Sequence, residues 1–369
     1  MPTATKSAAK DTPSAKLSDA TLTQWLRDMV LIREFELRTM AAYQQAKIGG
    51  FCHIYIGQEA VAVGTIQAIN KDDPIVTAYR DHGHALARGM DPGACMAEMY
   101  GKATGCAKGK GGSMHMFDKP NWLFGGHGIV GAQTPLGAGL AFAARYEWEV
   151  LKKSLDGGKA KKKVALCYLG DGALNQGALH EAMNLAGILS TPVIYIVENN
   201  GYSMGTSIER GTTMADKLYK KAEAYGIEHR TIDGMSVTQL YDEFKPFVDI
   251  LRDEQRPGFV DIKTYRYQGH SMSDPQKYRT KEEVEQFKER DGISSLAHHL
   301  MNERECLSED EFKAMQKEVR EEVMAAVKFA EESPEPDPAT ELYSDVYANP
   351  QPNLSPMRDY TQGQKNPLL

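Results

Sequence analysis

The chain has 369 residues, 41% of them hydrophobic and 25% charged, with a formal charge of −7 and a pI near 5.9. That composition suits a globular protein with a sizeable core and gives no overall attraction to nucleic acid or anionic membrane. No apolar run approaches the ~20 residues of a membrane-spanning helix, and five scattered cysteines without a CxxC pair fit a reducing compartment, read as cytoplasmic.

In chain order, residues 1–17 lack the apolar core of a signal peptide and read as a disordered tail. From Ser18 to Ala46, Leu22, Trp25, Leu26, Met29, Ile32 and Met40 recur at helical spacing, and Gly49-Gly50 ends the run. Residues 101–131 carry nine glycines, too many for a regular element. Lys108 and Lys110 among exposed backbone amides would suit phosphate, yet no Ser or Thr follows a Gly-Lys pair, so the P-loop pattern fails. Gly126, Gly128 and Gly131 satisfy GxGxxG and raise a Rossmann dehydrogenase as a rival. Against it, Asn121 to Phe124 make a poor strand, and no strand-end acid of the kind that holds a ribose is evident about 20 residues on, where the chain reads Leu151-Lys152-Lys153. The glycines fit better as a loop passing close to a flat ligand.

Lys159 to Lys163 read as a solvated loop before an apolar strand, Val164 to Leu169. That strand ends in Gly170-Asp171-Gly172. The glycines permit a sharp turn and the approach of a diphosphate to the backbone, and Asp171 offers an oxygen to a hard cation. A helix over Leu179 to Leu189 leads to a second buried strand, Val193 to Val197, which delivers Glu198-Asn199-Asn200-Gly201-Tyr202. Ligands of open α/β sheets bind beyond the carboxyl ends of the strands, so Asp171 and Asn200 are expected to converge on one magnesium ion. One further strand, Phe259 to Thr264, precedes a polar loop from Gln268 to Lys281 with Ser271, Ser273 and Tyr278 exposed. Ser308 and Glu311 then form a capping-box pattern ahead of an apolar face made by Phe312, Met315, Val319, Val323 and Val327. Pro334 to Pro338 close that helix. The expected organisation is one α/β domain over 18–333 with helical extensions at both ends, and an irregular segment over 334–369.

GDG followed after 26 intervening residues by NN, on two parallel strands, resembles the thiamine diphosphate motif. Further blocks resemble the alpha subunits of the thiamine diphosphate-dependent 2-oxo acid dehydrogenase family, in its pyruvate branch, over roughly residues 20–330. They are Gly50-Phe51-Cys52-His53, Gly57 to Ala60, Thr77-Ala78-Tyr79-Arg80, Gly105 to Met116, Gly128 to Gln133 and Tyr265 to Pro275. The resemblance implies a three-layer, mostly parallel thiamine diphosphate-binding fold. It assigns Asp171, Asn200 and the carbonyl of Tyr202 to magnesium, and Gly172 and Ala173 to the diphosphate. His53, Tyr79, Arg80 and His270 would line the diphosphate end and the active-site channel, with His53 and His270 in catalysis. Gly128 and Val130 would face the aminopyrimidine ring through their backbones. Among the other histidines, His115 stays open, and His82, His84 and His127 receive no catalytic role.

The implied reaction is oxidative decarboxylation of pyruvate, with transfer of the two-carbon unit to a lipoyl group on a dihydrolipoamide acetyltransferase. The glutamate that thiamine diphosphate needs beside its aminopyrimidine is not found here, so the resemblance implies a separate beta subunit and an alpha2beta2 heterotetramer. It further implies a mobile loop around Ser271, a serine phosphorylated in animal members. The second regulatory serine is missing and the loop is one residue shorter, so kinase regulation is not expected. Acetoin and branched-chain 2-oxo acid dehydrogenase alpha subunits, and a catalytically silent binding subunit of the same fold, stand as alternatives. The mitochondrial matrix or a plastid stands as the alternative to the cytoplasm.

Overall fold

The computed structural model describes residues 12–342 together with 344 and 345. Of the segment read as a tail, residues 1–11 lie outside the described residues. Its end packs onto the protein: Ser14–Lys16 form a short 3₁₀ turn, and Ser14 Oγ donates to Asp242 Oδ2 at 2.7 Å.

Helix α1 (Asp19–Gln44) starts where Ser18 Oγ accepts from the Thr21 amide. It is followed by α2 (Glu59–Gln67), β1 (Ile75–Ala78), α3 (His82–Ala87), α4 (Pro92–Met99), β2 (Leu123–His127) and α5 (Gln133–Tyr146). The cofactor-motif region is β3 (Ala165–Gly170), α6 (Gly177–Leu189) and β4 (Val193–Asn199), with a small hairpin of β5 (Tyr202–Ser203) and β6 (Thr206–Ser207). Short helices α7 (Ile208–Gly211) and α8 (Lys220–Glu223) lead to β7 (Glu228–Asp233), α9 (Val237–Glu254) and β8 (Gly258–Lys263). The chain then runs through α10 (Lys281–Lys288), α11 (Gly292–Asn302), α12 (Glu309–Glu332) and α13 (Pro338–Glu341). The Ser308–Glu311 capping box is formed as expected.

Six parallel strands make one sheet in the order β2-β1-β3-β4-β8-β7. Strand alternation splits the core in two. Leu166, Tyr168, Ile194 and Ile196 face a layer that includes Phe35 of α1, Val63 of α2 and Phe244 of α9, whereas Ala165, Cys167, Leu169 and Tyr195 face Ala141 of α5 and Leu179 and Met183 of α6. The result is the three-layer α/β architecture read from the sequence.

Two local readings are corrected. The glycine-rich stretch does hold a regular element, since β2 runs through Gly125 and Gly126 and pairs in parallel with β1 across a register shift. Its residues are too small or too mixed to carry a strand period, and pairing with β1 supplies what propensity lacks. The Lys159–Lys163 run is not wholly solvated: Lys163 is buried, with its Nζ 3.8 Å from the centre of the Trp122 ring and 3.8 Å from Glu147 Oε2.

Candidate active site

The carboxyl ends of β3 and β4 stop side by side, with Gly170 in register with Glu198. The next residues are therefore Asp171 on one strand end and Asn199 and Asn200 on the other. Asp171 is 4% exposed; its Oδ1 accepts the Gly172 amide at 2.8 Å, and its Oδ2 is buried with no partner among the described residues. Burial pushes its carboxyl up from the ordinary range, against the pull of the Gly172 amide and the Arg266 charge. A buried carboxylate with a free oxygen is a costly arrangement without a cation. Asn200 Oδ1 accepts the Tyr202 amide at 3.0 Å and so aims its amide across the same turn. Asp171, Asn200 and a backbone carbonyl form a hard oxygen set suited to magnesium. Among the described residues no group of three His, Cys, Asp or Glu makes a competing metal site. A side chain at Gly172 would place its Cβ 2.2 Å from Ser203 Oγ, which holds the β3 turn against the β5 hairpin.

The opposite wall is cationic. Arg80 and Arg266 are 7% and 2% exposed, and burial together with Arg266 pulls the Arg80 guanidinium down to about 10, which leaves it charged at neutral pH. Arg80 donates to the Ile54 carbonyl at 2.6 Å and to the His270 carbonyl at 2.7 Å, which ties the segment of residues 52–56 to the loop after β8. His53, Tyr79 and His270 meet above it, with ring centres 4.7 Å apart for His53 and Tyr79 and 5.1 Å for the two histidines. Burial, followed by the Arg80 charge, pulls His53 down to about 2 and His270 down to about 4. Both imidazoles are thus neutral at pH 7, so the charge available to an anion comes from the arginines. Two buried guanidinium groups, neither of them paired to a carboxylate among the described residues, call for an anion. Arg266 also bears on Asp171, His53 and His270, which makes it the link between the two halves of the site. Nothing in the residue order singles out that arginine within its block.

The expected aminopyrimidine contacts lie on an open rim. Val130 is 41% exposed and its neighbour Ile129 is 77% exposed. Gly128 sits against His115, whose Nδ1 faces the Gly126 carbonyl at 2.9 Å. The GxGxxG glycines have packing reasons of their own: a Cβ at Gly126 would stand 2.0 Å from Asp81 Oδ2, and Gly131, at φ +84°, lies against Gln176. The lysine-bearing loop likewise holds an internal anion. The amides of Ala107, Gly109, Gly111 and Gly112 all donate to the buried carboxylate of Glu98, and Lys108 and Lys110 turn outward to Glu341 and Asp345.

His82 takes a supporting place behind the segment that carries His53. Its ring bridges Glu36 and Ser113, and Ser113 Oγ accepts the His53 amide at 3.2 Å. His127 faces the main-chain carbonyls of Thr77 and Gly125. Of the loop serines, Ser273 is exposed whereas Ser271 and Tyr278 are half-buried. Met272 donates to the Cys52 carbonyl at 3.0 Å, and Arg279 donates to three carbonyls of residues 266–268, so the loop is tied to the site it borders.

Residues 27–339 match the family model described as "Dehydrogenase E1 component". The chain is 48% identical over 321 residues to the "Pyruvate dehydrogenase E1 component subunit alpha" of Rickettsia bellii, which covers 87% of this chain and 94% of that protein. The protein of the same name from Rhizobium meliloti is 44% identical over 348 residues, 93% of this chain and 96% of its own length. A chloroplastic alpha-3 subunit of rice, also a pyruvate dehydrogenase E1 component, is 40% identical over 323 residues, 88% of this chain and 75% of its own. With the matched region taking in both the strand ends at Asp171 and Asn200 and the arginine-lined wall, this chain belongs to the dehydrogenase E1 component family, a thiamine diphosphate-dependent family.

Proposed function

We propose that the chain is the alpha subunit of a pyruvate dehydrogenase. It would act with thiamine diphosphate and Mg2+ in a heterotetramer with a separate beta subunit, and pass its acetyl group to the lipoyl arm of a dihydrolipoamide acetyltransferase. The observation that carries this reading is the pairing of opposite demands in one site: Asp171 has a buried oxygen in want of a cation, and Arg80 and Arg266 are buried cations in want of an anion. A metal diphosphate meets both. Asp171, Asn200 and the Tyr202 carbonyl would hold the ion, the Gly172 and Ala173 backbone would meet the diphosphate, and Gly128 and Val130 would border the aminopyrimidine. His53, neutral and with a buried Nδ1 that has no partner among the described residues, is placed to hydrogen-bond a reacting group at that atom, with His270 beside it. Tyr79 packs against both rings and fixes their orientation. Bound there, thiamine diphosphate supplies the chemistry by which pyruvate loses carbon dioxide and its two-carbon remainder is oxidised as the lipoyl disulfide is reduced.

The beta subunit is supported by an uncovered apolar face next to the Val130 rim. On the packed pair α5 and α6, Leu136, Phe142, Tyr146, Leu185, Ile188 and Leu189 are all 44–70% exposed. Such a face marks a protein interface rather than an ordinary surface. Residues 18–333 act in this reading as one diphosphate-binding domain, with 334–369 as its C-terminal segment. No helix among the described residues is long and apolar enough to cross a membrane, in keeping with the proposed cytoplasmic complex.

The test is steady-state decarboxylation by the chain co-expressed with its beta partner, offered pyruvate, 2-oxoisovalerate or acetoin, with and without thiamine diphosphate and Mg2+. Cofactor-dependent turnover with preference for pyruvate is expected, and preference for another substrate would transfer the chain to a sister branch. Decarboxylation by the purified chain alone, with cofactors and an artificial electron acceptor, would refute the need for a beta subunit.

A further inference from the structure

One buried polar cluster lies directly behind the metal side of the site and has no part in the chemistry proposed above. Tyr55 and His84 are both fully buried, and both reach Glu198, which is 6% exposed. The Tyr55 hydroxyl donates to Glu198 Oε1, and His84 Nε2 stands 3.2 Å from the same oxygen and 3.4 Å from the Tyr55 hydroxyl. Burial and the Glu198 charge hold the Tyr55 phenol well above its ordinary range, so it remains a donor. His84 is held in turn by the Tyr168 ring, with centres 4.2 Å apart, and Tyr168 is hydrogen-bonded to Thr65 at 2.7 Å.

The place of Glu198 in β4 gives this cluster a consequence for the site. Glu198 and Asn199 are the last two residues of the strand, and alternation sends their side chains to opposite faces of the sheet. On one face Glu198 is held by Tyr55 and His84. On the other Asn199 Nδ2 donates to Asp261 Oδ1 at 2.9 Å, and Asp261 is itself held by Lys263. The strand end is thus clamped from both sides immediately before Asn200. Tyr55 also belongs to the segment that carries His53, which is fixed residue by residue: the His53 amide on Ser113, the Ile54 carbonyl on Arg80, and the Tyr55 amide on Glu36 at 2.6 Å. The Tyr55 hydroxyl is the point where this segment meets the end of β4.

We propose that Tyr55 and His84 are positioning residues that act through Glu198 to fix the end of β4, so that Asn200 is presented to the metal ion in register with His53. The proposal rests on the reading of Asn200 as a metal ligand. A ligand whose direction is set in advance binds more tightly because less ordering is lost on binding. Loss of one hydrogen bond to a charged, buried partner is large enough to be felt at the metal.

The test uses Tyr55→Phe and His84→Phe, which keep an aromatic ring and remove the polar contact, each co-expressed with the beta partner. Mn2+ affinity in the presence of thiamine diphosphate is read by electron paramagnetic resonance, beside the melting temperature of the metal-free assembly. The expected result is Mn2+ binding weakened about tenfold in either variant, which is ~1.4 kcal/mol. Mn2+ affinity within twofold of the parent in both variants overturns the proposal, whatever happens to the melting temperature. If one variant fails to assemble the other decides, and failure of both also overturns it, since that is the mark of a cluster needed only for packing. Asn200→Ala separates the two readings. Unchanged Mn2+ affinity there sinks the metal-ligand assignment itself, whereas lost affinity there with unchanged affinity in the ring variants sinks only the proposal.

Discussion

The imidazoles of His53 and His270 meet edge to face, with centres 5.1 Å apart and planes at 83°, and Arg80 bears on both. For each ring burial is the larger cause and the guanidinium charge adds to it, so the folded value lies near 2 for His53 and near 4 for His270, against 6.5 in the unfolded chain. Below about pH 6.5 the unfolded chain binds protons that the folded chain refuses, so stability is present above that pH and is lost as pH falls toward 4. The melting temperature of the cofactor-free enzyme should therefore drop steadily between pH 7 and pH 5. In His53→Asn and His270→Asn part of that slope should vanish. Identical slopes in parent and variants, followed by differential scanning calorimetry across this range, would show that the two rings titrate normally.

Asp171 sets stability against function in the opposite sense. Its carboxyl is raised by burial and its Oδ2 has no partner, so at neutral pH the ionised group costs the metal-free fold stability. Asp171→Asn keeps an oxygen for the Gly172 amide and removes the charge. Metal-free stability should rise by about 1 kcal/mol, on the scale of an unpaired buried polar group, while turnover falls at least ~100-fold for want of a metal ligand. Urea unfolding and steady-state kinetics on the same preparation check both halves, and a variant that is less stable and still active would contradict this account of the site.

Ser271 follows His270 directly, and its Oγ lies 3.0 Å from Ser273 Oγ on the loop that Met272 ties to Cys52. A negative charge there would stand one residue from His270, whose carbonyl accepts from Arg80. Ser271→Glu should lower turnover about tenfold and raise the thiamine diphosphate concentration needed for half-activity. Ser271→Ala should leave both close to the parent, and equal behaviour of the two variants would remove loop charge from consideration.

What the sequence disclosed depended on how local the determinant was. β3 and β4 announce themselves because they are buried on both faces and read as unbroken apolar runs, so the residue pattern alone puts Asp171 and Asn200 at neighbouring strand ends. β2 has no such signal, since its Gly125 and Gly126 belong to no strand pattern and acquire one only against β1. β7 reads Glu-His-Arg-Thr-Ile-Asp, a polar edge strand with one buried side chain, Ile232. The site shows the same division. Asp171 sits in a motif whose glycines are adjacent, but the charge of Arg266 matters only because folding brings it between Asp171 and Arg80. The neutrality of His53 and His270 is likewise a product of burial and neighbours, which no residue type declares.

Glu98 is a determinant of this non-local kind, and its replacement tests why the glycine-rich loop is glycine-rich. Oε1 accepts the Gly111 and Gly112 amides at 2.6 and 3.1 Å, and Oε2 accepts those of Ala107 and Gly109 at 2.7 and 2.9 Å. The backbone can wrap the carboxylate this closely because Gly105 has no side chain, as a Cβ there would come within 2.4 Å of Glu98 Oε2. Glu98→Gln is nearly isosteric, yet it must turn an NH2 group toward one of the two amide pairs, so that donors face donors in a fully buried place. Two lost hydrogen bonds of this type should cost about 2–4 kcal/mol. The loop runs on to Ser113, the acceptor of the His53 amide, so loosening it should reach the site as well. Urea unfolding should show the loss of stability, and brief trypsin treatment should cut the variant after Lys108 or Lys110 while the parent survives. A Glu98→Gln enzyme as stable and as resistant as the parent would mean that the four amides find other partners and that Glu98 does not hold the loop.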